Sequence, residues 1–290
     1  PFRVYGLYNY RNEPVFKRIP DHVAAATNDG VKALYLNTAG GRVRFSTDSE
    51  YVAIKAIMPS VTVFPHMTLA GTSGFDLYID DDTGSTYYGT FMPPIGMKDG
   101  YESIIYFPDS RRRDLTINFP LYNNVDSLYI GLKNSAIVDR GREYRYSKPV
   151  LYYGSSITQG ACASRPGNSY EAIISRRYDC DYINLGFSGS ARGEDSIAEY
   201  MSDLDVSLFV CDYDHNAPDV GHLRDTHEKL FKKFRSKSAE LPVIFVSRPN
   251  FEKDTYDSIM RRDVIYTTYI NAIRSGDKNV YFIDGQALFK

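Results

Sequence analysis

The sequence has no tryptophan, only three cysteines and no long uncharged apolar run. A membrane-spanning helix needs about 20 consecutive apolar residues, so the sequence predicts no membrane span. Cys162, Cys180 and Cys211 cannot all pair with one another, and their spacings match no zinc pattern. A disulfide-based scaffold and a cysteine-rich metal site are therefore not expected.

The sequence also lacks an excess of basic charge. It has 34 Lys and Arg against 36 Asp and Glu, which gives a net charge of -2. The run from Arg111 to Arg113 stands between Asp109 and Asp114, which is typical of a solvated turn. No nucleic-acid partner is predicted. The sequence contains no metal-ligand cluster and no phosphate-binding glycine loop, so neither a metal nor an organic cofactor is predicted.

Tyrosine, by contrast, is abundant, with 25 residues. Tyrosines suit half-buried strands, and they also stack on sugars, so a structural and a binding interpretation both stay open. A length of 290 residues is about twice that of a usual domain, which predicts two domains.

Residues 1–145 are predicted to form an all-β sandwich of the jelly-roll-like kind. Short apolar alternations without helical spacing recur here, at 31–37, 42–47, 51–58, 75–80, 86–91, 101–107, 115–119 and 127–132. We expect the first two to form a hairpin through 38–41. The charged and tyrosine-rich stretch 140–148 is the predicted linker.

Residues 146–290 are predicted to form an α/β domain with a parallel sheet between helices. Short apolar strands alternate with helical patterns, the strands falling at 149–153, 182–185, 206–211, 242–247 and 280–283. Helices are predicted at 219–235 and 257–274. For the first helix, the predicted apolar face consists of Val220, Leu223, His227, Leu230, Phe231 and Phe234. For the second helix, the predicted buried face consists of Ile259, Ile265, Tyr269, Ile270 and Ile273.

Polar residues follow three of these strands and suggest acyl-transfer chemistry. In an open α/β sheet, reactive groups collect at the carboxyl ends of the strands. Ser156 lies at a predicted helix start, where it can attack a carbonyl, and the Ser156 N–H, the Gly189 N–H and the Asn216 amide can stabilise an oxyanion. Each residue also has a structural interpretation, as a helix cap for Ser156 and Asn216 and as a turn for Gly189.

The motifs resemble those of the SGNH (GDSL-type) hydrolases. Residues 153–160, Tyr-Gly-Ser-Ser-Ile-Thr-Gln-Gly, resemble the first block, 184–190 the glycine block and the loop ending in Asn216 the asparagine block. Residues 74–78, Gly-Phe-Asp-Leu-Tyr, resemble the signature of a β-sandwich module that precedes SGNH esterase domains. The resemblance implies a three-layer, flavodoxin-like domain with Ser156 as nucleophile and Gly189 and Asn216 in the oxyanion hole.

The sequence departs from the family pattern in three places. Ser155 stands where the family usually has aspartate, and the asparagine loop reads Asp-Tyr-Asp-His-Asn rather than Gly-x-Asn-Asp. The resemblance also implies an Asp-x-x-His block after the last strand, which is absent from the seven residues that follow Ile283. We expect the domain to lack its C-terminal segment.

Other histidines are candidates for the missing base. His215, beside Asn216, is a candidate base or substrate contact. Asp219 and His222 form a literal Asp-x-x-His, but they fall in the first turn of a predicted helix, where Asp219 suits the helix dipole. His227 lies on the apolar face of that helix and is predicted to be a packing residue.

We therefore expect a serine esterase that hydrolyses a small acyl ester, such as an acetyl ester, on a small molecule or a glycan. The alternative is a non-catalytic carbohydrate- or acyl-binding protein, or an enzyme that lacks its base. The sequence begins at Pro1, and together with the resemblance this leads us to expect an exported protein, periplasmic or secreted. The unpaired cysteines favour the opposite. The oligomeric state stays open.

Overall fold

The structure is a computed structural model that describes residues 1–249, 252 and 254–288. The last two residues of the predicted hydrolase domain lie outside the described residues. The chain separates into two compact units, each built from several chain segments. The first unit contains Pro1–Pro20, Leu34–Ser147 and Gln159–Asn184, and the second contains Asp21–Ala33, Lys148–Thr158 and Leu185–Lys290. The boundary between residues 145 and 146 stays a prediction.

The strands follow one another along the chain as β1 (Arg3–Tyr5), β2 (Arg42–Thr47), β3 (Tyr51–Ile57), β4 (Phe75–Asp81), β5 (Gly84–Phe91), β6 (Gly100–Tyr106), β7 (Arg113–Asn118), β8 (Ser127–Gly131), β9 (Val138–Asp139), β10 (Tyr146–Gly154), β11 (Cys180–Gly186), β12 (Leu208–Asp212), β13 (Val243–Val246) and β14 (Val280–Ile283). The α-helices are α1 (Asp21–Thr27), α2 (Asp29–Leu34), α3 (Leu69–Ser73), α4 (Ser156–Gln159), α5 (Tyr170–Tyr178), α6 (Asp195–Ser202), α7 (Val220–Lys237) and α8 (Thr255–Arg274).

The first unit contains the predicted β-sandwich. One antiparallel sheet has the order β1-β2-β7-β4-β5, with β9 on β2, and a second has the order β6-β3-β8. Apolar side chains that alternate along both sheets form the core, among them Phe45, Ile54, Phe75, Leu115 and Ile117. The predicted all-β sandwich is confirmed.

The larger sheet is also buried on its other face, which is polar. All six residues of β2 are buried, including Arg42 and Arg44, which alternate with the core residues Val43 and Phe45. Because a buried charge is costly without a partner, this face holds ion pairs and hydrogen bonds between strands. Arg44 contacts Asp80 at 3.1 Å, for example.

The segment Gly74–Tyr78 places one buried carboxylate on this polar face. Asp76 is fully buried and accepts hydrogen bonds from Asn118 Nδ2 and from the backbone N–H of Gly167, both at 2.8 Å. Leu77, the next residue, belongs to the apolar core. Gly74 follows α3, where a side chain would collide with the carbonyl oxygen of Ala70. The signature thus combines a helix end, a core strand and a carboxylate that holds a loop.

The second unit contains most of the predicted α/β domain, together with Asp21–Ala33 from the predicted sandwich, whereas Gln159–Asn184 of the predicted α/β domain belong to the first unit. The five-stranded sheet has the order β11-β10-β12-β13-β14, and the pairings β10 to β12, β12 to β13 and β13 to β14 are parallel. The helices α6, α7 and α8 pack successively against one another. The predicted α/β class is confirmed.

The predicted hairpin 31–37/42–47 is wrong in its first strand. Residues 29–34 form α2, and Asn28 Oδ1 accepts a hydrogen bond from the N–H of Val31 at 2.8 Å. An asparagine followed by Asp29 and Gly30 starts a helix, and this local signal outweighs the apolar alternation after it.

The predicted buried face of α8 is also wrong in large part. The buried residues of this helix are Ser258, Arg261, Ile265, Thr268 and Ala272, whereas Ile259 and Ile273 are exposed. The buried polar groups have partners from other elements: Thr268 Oγ1, for example, lies 3.0 Å from Nδ1 of His227 on α7. For α7 the predicted face is confirmed by burial of Leu223, His227, Leu230, Phe231 and Phe234.

Within the described ranges, no helix combines the length and the apolar character that crossing a bilayer requires.

Candidate active site

Ser156 is the first residue of α4, and a single residue, Ser155, separates it from the end of β10. The neighbouring Ser155 is buried, and its Oγ accepts a hydrogen bond from the N–H of Ile157 at 3.2 Å. Ser155 therefore caps this helix, which was the structural role that we considered for Ser156. Gly154 suits the sharp turn because a side chain would collide with Thr158 Oγ1 and the Asp212 carbonyl. Ser156 itself is half-buried.

The glycine loop turns back after β11 at Phe187. The Phe187 N–H donates to the carbonyl of Gly154 at 2.9 Å, which ties this loop to the end of β10. Gly189 has a φ of +68°, a left-handed conformation that favours glycine, and a Cβ atom there would meet no atom within 4 Å. The Gly189 position is thus exposed and open on its side-chain side.

The structure brings Gly189 and Asn216 into direct contact. Asn216 ends a short 3₁₀ turn after β12, and its side chain is buried. Asn216 Nδ2 donates to the carbonyl of Phe187 at 2.8 Å, and Asn216 Oδ1 accepts from the N–H of Gly189 at 3.1 Å. These two bonds fix the orientation of the amide and leave its second N–H for another acceptor. The Gly189 N–H is donated to Asn216, so it must leave this bond to serve an oxyanion.

The buried carboxylate of Asp214 holds the asparagine loop in place. It accepts from the N–H of Arg248 at 2.8 Å and lies 3.5 Å from Arg261 Nη1. Arg261 Nη1 also donates to the carbonyls of Asp214 and Ala217, at 2.9 and 3.0 Å, on either side of Asn216. Burial raises the pKa of Asp214, and the Arg248 N–H and Arg261 oppose this shift.

His215 is the next residue along this loop. It is partly buried, and within the described ranges its Nε2 has no hydrogen-bond partner. Burial and the neighbouring charges of Arg248 and Arg261 lower the pKa of His215 to about 4. A histidine with this pKa is neutral at pH 7 but is a weak base. The two predicted roles of His215, base and substrate contact, stay predictions.

His222 and His227, on α7, have structural partners. Asp219 caps α7 and accepts from the N–H of His222 at 2.7 Å, whereas His222 Nε2 lies 2.8 Å from the carbonyl of Arg192. The predicted position of Asp219 and His222 at the start of α7 is confirmed. His227 is buried, and burial lowers its pKa to about 3, as expected of a neutral packing residue.

Two hydrogen bonds to the glycine loop, residues 184–190, were not predicted from the sequence. Arg192 Nη2 donates to the carbonyl of Gly189 at 3.1 Å, and Asn28 Nδ2 donates to the carbonyl of Ser190 at 2.9 Å. Asn28 belongs to a segment predicted as part of the sandwich, and no sequence signal placed it beside residue 190. Arg192, three residues after Gly189, could have been included by proximity alone.

In the part of the chain that the structure describes, no group of three His, Cys, Asp or Glu side chains is arranged to hold a metal ion. A reaction without a metal or organic cofactor stays a prediction.

Two family models match separate parts of the chain. Residues 147–290 match the GDSL-like lipase/acylhydrolase family, and residues 1–138 match the module described as the N-terminus of SGNH-hydro-type esterases. No curated protein matches the chain.

Solved structures share the fold. A crystal structure from Bacteroides ovatus ATCC 8483, described as a GDSL-like lipase, is 27% identical, with a TM-score of 0.88 over 97% of this chain and 84% of that one. The salicylyl-acyltransferase SsfX3 from a tetracycline biosynthetic pathway is 16% identical, with a TM-score of 0.79 over 98% and 82%. An acetyl xylan esterase from the rumen bacterium Butyrivibrio proteoclasticus is 11% identical, with a TM-score of 0.60 over 98% and 86%.

Proposed function

This chain belongs to the SGNH (GDSL-type) hydrolases, which makes it a hydrolase of ester bonds with an N-terminal Gly-x-Asp-Leu-Tyr module, and we propose that Ser156 is its nucleophile. Ser156 Oγ attacks the acyl carbon and gives up its proton to a base, and the alcohol leaves with a proton. Water then cleaves the seryl-acyl intermediate and releases the acid.

The observation that carries this proposal is the fixed amide of Asn216. Its Oδ1 and one Nδ2 hydrogen are held by Gly189 and Phe187, so its second N–H has a defined direction. A preorganised donor stabilises the oxyanion without reorganisation during the reaction. We propose that this N–H and the N–H of Ser156 bind the oxyanion, joined by the N–H of Gly189 when it leaves Asn216 Oδ1.

The capping role of Ser155 supports the assignment of Ser156. Two adjacent serines follow β10, and the helix-capping hydrogen bond is made by Ser155. His215, a weak base beside Asn216, is proposed to contact the substrate.

For the substrate, we propose a small acyl ester, in the first place an acetyl ester on a carbohydrate. The fold likeness to an acetyl xylan esterase and to a family two carbohydrate esterase from Clostridium thermocellum supports this choice by analogy. The same likeness supports a glycan as the partner molecule.

The proposal is tested by labelling the 290-residue chain with a fluorophosphonate and measuring its intact mass. We expect one label per chain, lost in Ser156→Ala and kept in Ser155→Ala, the matched control, which removes only the cap. On acetylated xylan, Asn216→Ala should lower kcat about 100- to 1000-fold, as for the loss of one oxyanion donor. If the unsubstituted chain binds acetylated xylan but takes up no label and releases no acetate, it is a binding protein rather than an esterase.

A further inference from the structure

The first unit contains a cavity of about 680 Å³ that the proposed esterase reaction does not use. It lies against the polar face of the larger sheet and the last turns of α5, and all of its lining residues belong to this unit. The volume falls within the range of small-molecule sites, about 300–1,000 Å³. We propose that this cavity binds a sugar that carries a carboxylate.

The lining of the cavity has more cationic than anionic groups. Four carboxylates line it, those of Asp80, Asp81, Asp82 and Asp179. Six guanidinium groups line it, those of Arg42, Arg44, Arg142, Arg145, Arg176 and Arg177. The chain as a whole has a net charge of -2, so this excess of positive charge is local to the cavity.

Half of these arginines have carboxylate partners. Arg42 pairs with Asp181, Arg44 with Asp80 and Arg142 with Asp82. The guanidinium groups of the other three, Arg145, Arg176 and Arg177, have no carboxylate oxygen within 4 Å among the residues that the structure describes. The guanidinium groups of Arg145 and Arg177 lie over tyrosine rings, those of Tyr146 and Tyr178, and the backbone N–H of Arg145 donates to the carboxylate of Asp179 at 3.2 Å. Their charges are therefore available to an anionic ligand.

Arg44 adds a buried charge whose hydrogen bonds are incomplete. Its side chain is 4% exposed, and Nη2 donates to Asp80 at 3.1 Å. Its Nε and Nη1 have no partner among the described residues. The guanidinium group lies over the ring of Tyr144 at 4.2 Å, which holds it in place. A fixed charge in a region of low dielectric constant attracts an anion more strongly than one in water.

The combination of arginines, aspartates and tyrosines indicates the class of ligand. Guanidinium groups bind carboxylates in a planar, two-bonded geometry. Exposed aspartates such as Asp81 and Asp82 accept hydrogen bonds from hydroxyl groups, which a simple inorganic anion would not offer. Tyrosine rings pack against sugar rings. A uronic acid carries the carboxylate and the hydroxyl groups together.

The test compares binding of trigalacturonate, neutral galactotriose and inorganic sulfate by calorimetry at low and at physiological salt. We expect trigalacturonate to bind at least tenfold more tightly than either of the others, and to weaken as salt rises because exposed charges contribute. Equal affinity for galactotriose or for sulfate would overturn the proposal of a sugar acid.

The double variant Arg145→Gln/Arg177→Gln removes two exposed cavity charges and should weaken trigalacturonate binding at least tenfold. Its matched control is Arg111→Gln/Arg112→Gln, which changes the net charge equally at side chains that are 79% and 60% exposed and do not line the cavity. Hydrolysis of p-nitrophenyl acetate should be unchanged in both variants. Equal loss of binding in the two variants would show non-specific attraction and reject the site.

Discussion

Asp214 and Asp76 are both buried carboxylates that hold a loop through a backbone N–H, but their counter-charges differ. Asp214 faces Arg261, a buried arginine that also binds two carbonyls of the same loop. Asp76 has neutral donors and, at 3.5 Å, the partly exposed Arg165. Burial raises the pKa of both, and that of Asp76 reaches about 6.

This difference shows two ways to hold a loop with a carboxylate. The Asp214 loop presents Asn216, so a fixed charge network keeps a proposed catalytic donor in position. Asp76 holds the Gly167 turn mainly by neutral hydrogen bonds, and it costs free energy when it ionises.

Substituting Arg261 should remove the counter-charge of Asp214 and destabilise the fold. Arg261→Ala leaves the buried Asp214 without its counter-charge, and removing one partner of a buried pair costs about 3–5 kcal/mol in the free energy of unfolding. The pKa of Asp214 should rise further, so the loss should be larger at pH 8 than at pH 5, where Asp214 can take up a proton. Urea unfolding at the two pH values measures both effects.

Two controls separate charge from packing at this position. Arg261→Lys keeps the charge and should recover part of the stability. Arg262→Ala changes the neighbouring, more exposed residue and should cost less than about 1 kcal/mol, as for surface ion pairs. A loss in Arg261→Ala that is the same at both pH values would show that packing, not the charge of Asp214, is responsible.

Substituting Asp76 should remove part of the pH dependence of the free energy of unfolding. In the unfolded chain an aspartate titrates near pH 4, and in the folded chain Asp76 titrates at about 6, so the folded state binds more protons between these values. The contribution of Asp76 to the free energy of unfolding is therefore largest below pH 4 and falls by about 3 kcal/mol as pH rises to 7.

Asp76→Asn should show no such fall. The difference in unfolding free energy between this variant and the unsubstituted chain should shift in favour of the variant from pH 4 to pH 7, as measured by urea unfolding. Asp99→Asn, at an exposed position of the same unit, is the matched control and should show a constant difference. A constant difference in Asp76→Asn as well would mean that Asp76 titrates normally.

Substituting His215 should have the smallest effect. Because its pKa is about 4, His215 does not change charge between pH 5 and 8. His215→Asn should lower kcat/KM for ester hydrolysis less than tenfold, about 1.4 kcal/mol, and leave the shape of the pH profile unchanged over this range. A loss above 1000-fold, with disappearance of a titration in the profile, would identify His215 as the base instead.

The helices α7 and α8 differ in whether apolar periodicity predicts which of their residues are buried. The buried face of α7 is marked by apolar residues and was predicted. The buried face of α8 consists of Ser258, Arg261, Ile265, Thr268 and Ala272, whose polar groups find partners on α7 and in the loop after β12. Apolar periodicity carries no information about such partners. The hairpin at 31–37 failed for a local reason, the helix start at Asn28.

In the candidate site, the motifs identified the loops but not the contacts within them. The motifs indicate Ser156, Gly189, Asn216 and His215, whose roles stay predictions. They do not indicate that Ser155 makes the helix cap or that Asn28 binds the carbonyl of Ser190. These are long-range or competing hydrogen bonds, and neither spacing nor composition determines them.

The sequence by itself determined the two fold classes, the order of the three loops and the signature at 74–78, because alternation, helical spacing and turn residues are local properties. Only the tertiary structure decided which charges are paired. Arg261 meets Asp214 from 47 positions away, and the cavity arginines come from β2, from the segment before β10 and from α5, which are far apart in sequence. Because burial sets the energy of a charge and folding brings its partners together, the pKa values of Asp76 and His215 and the lining of the cavity follow from the fold.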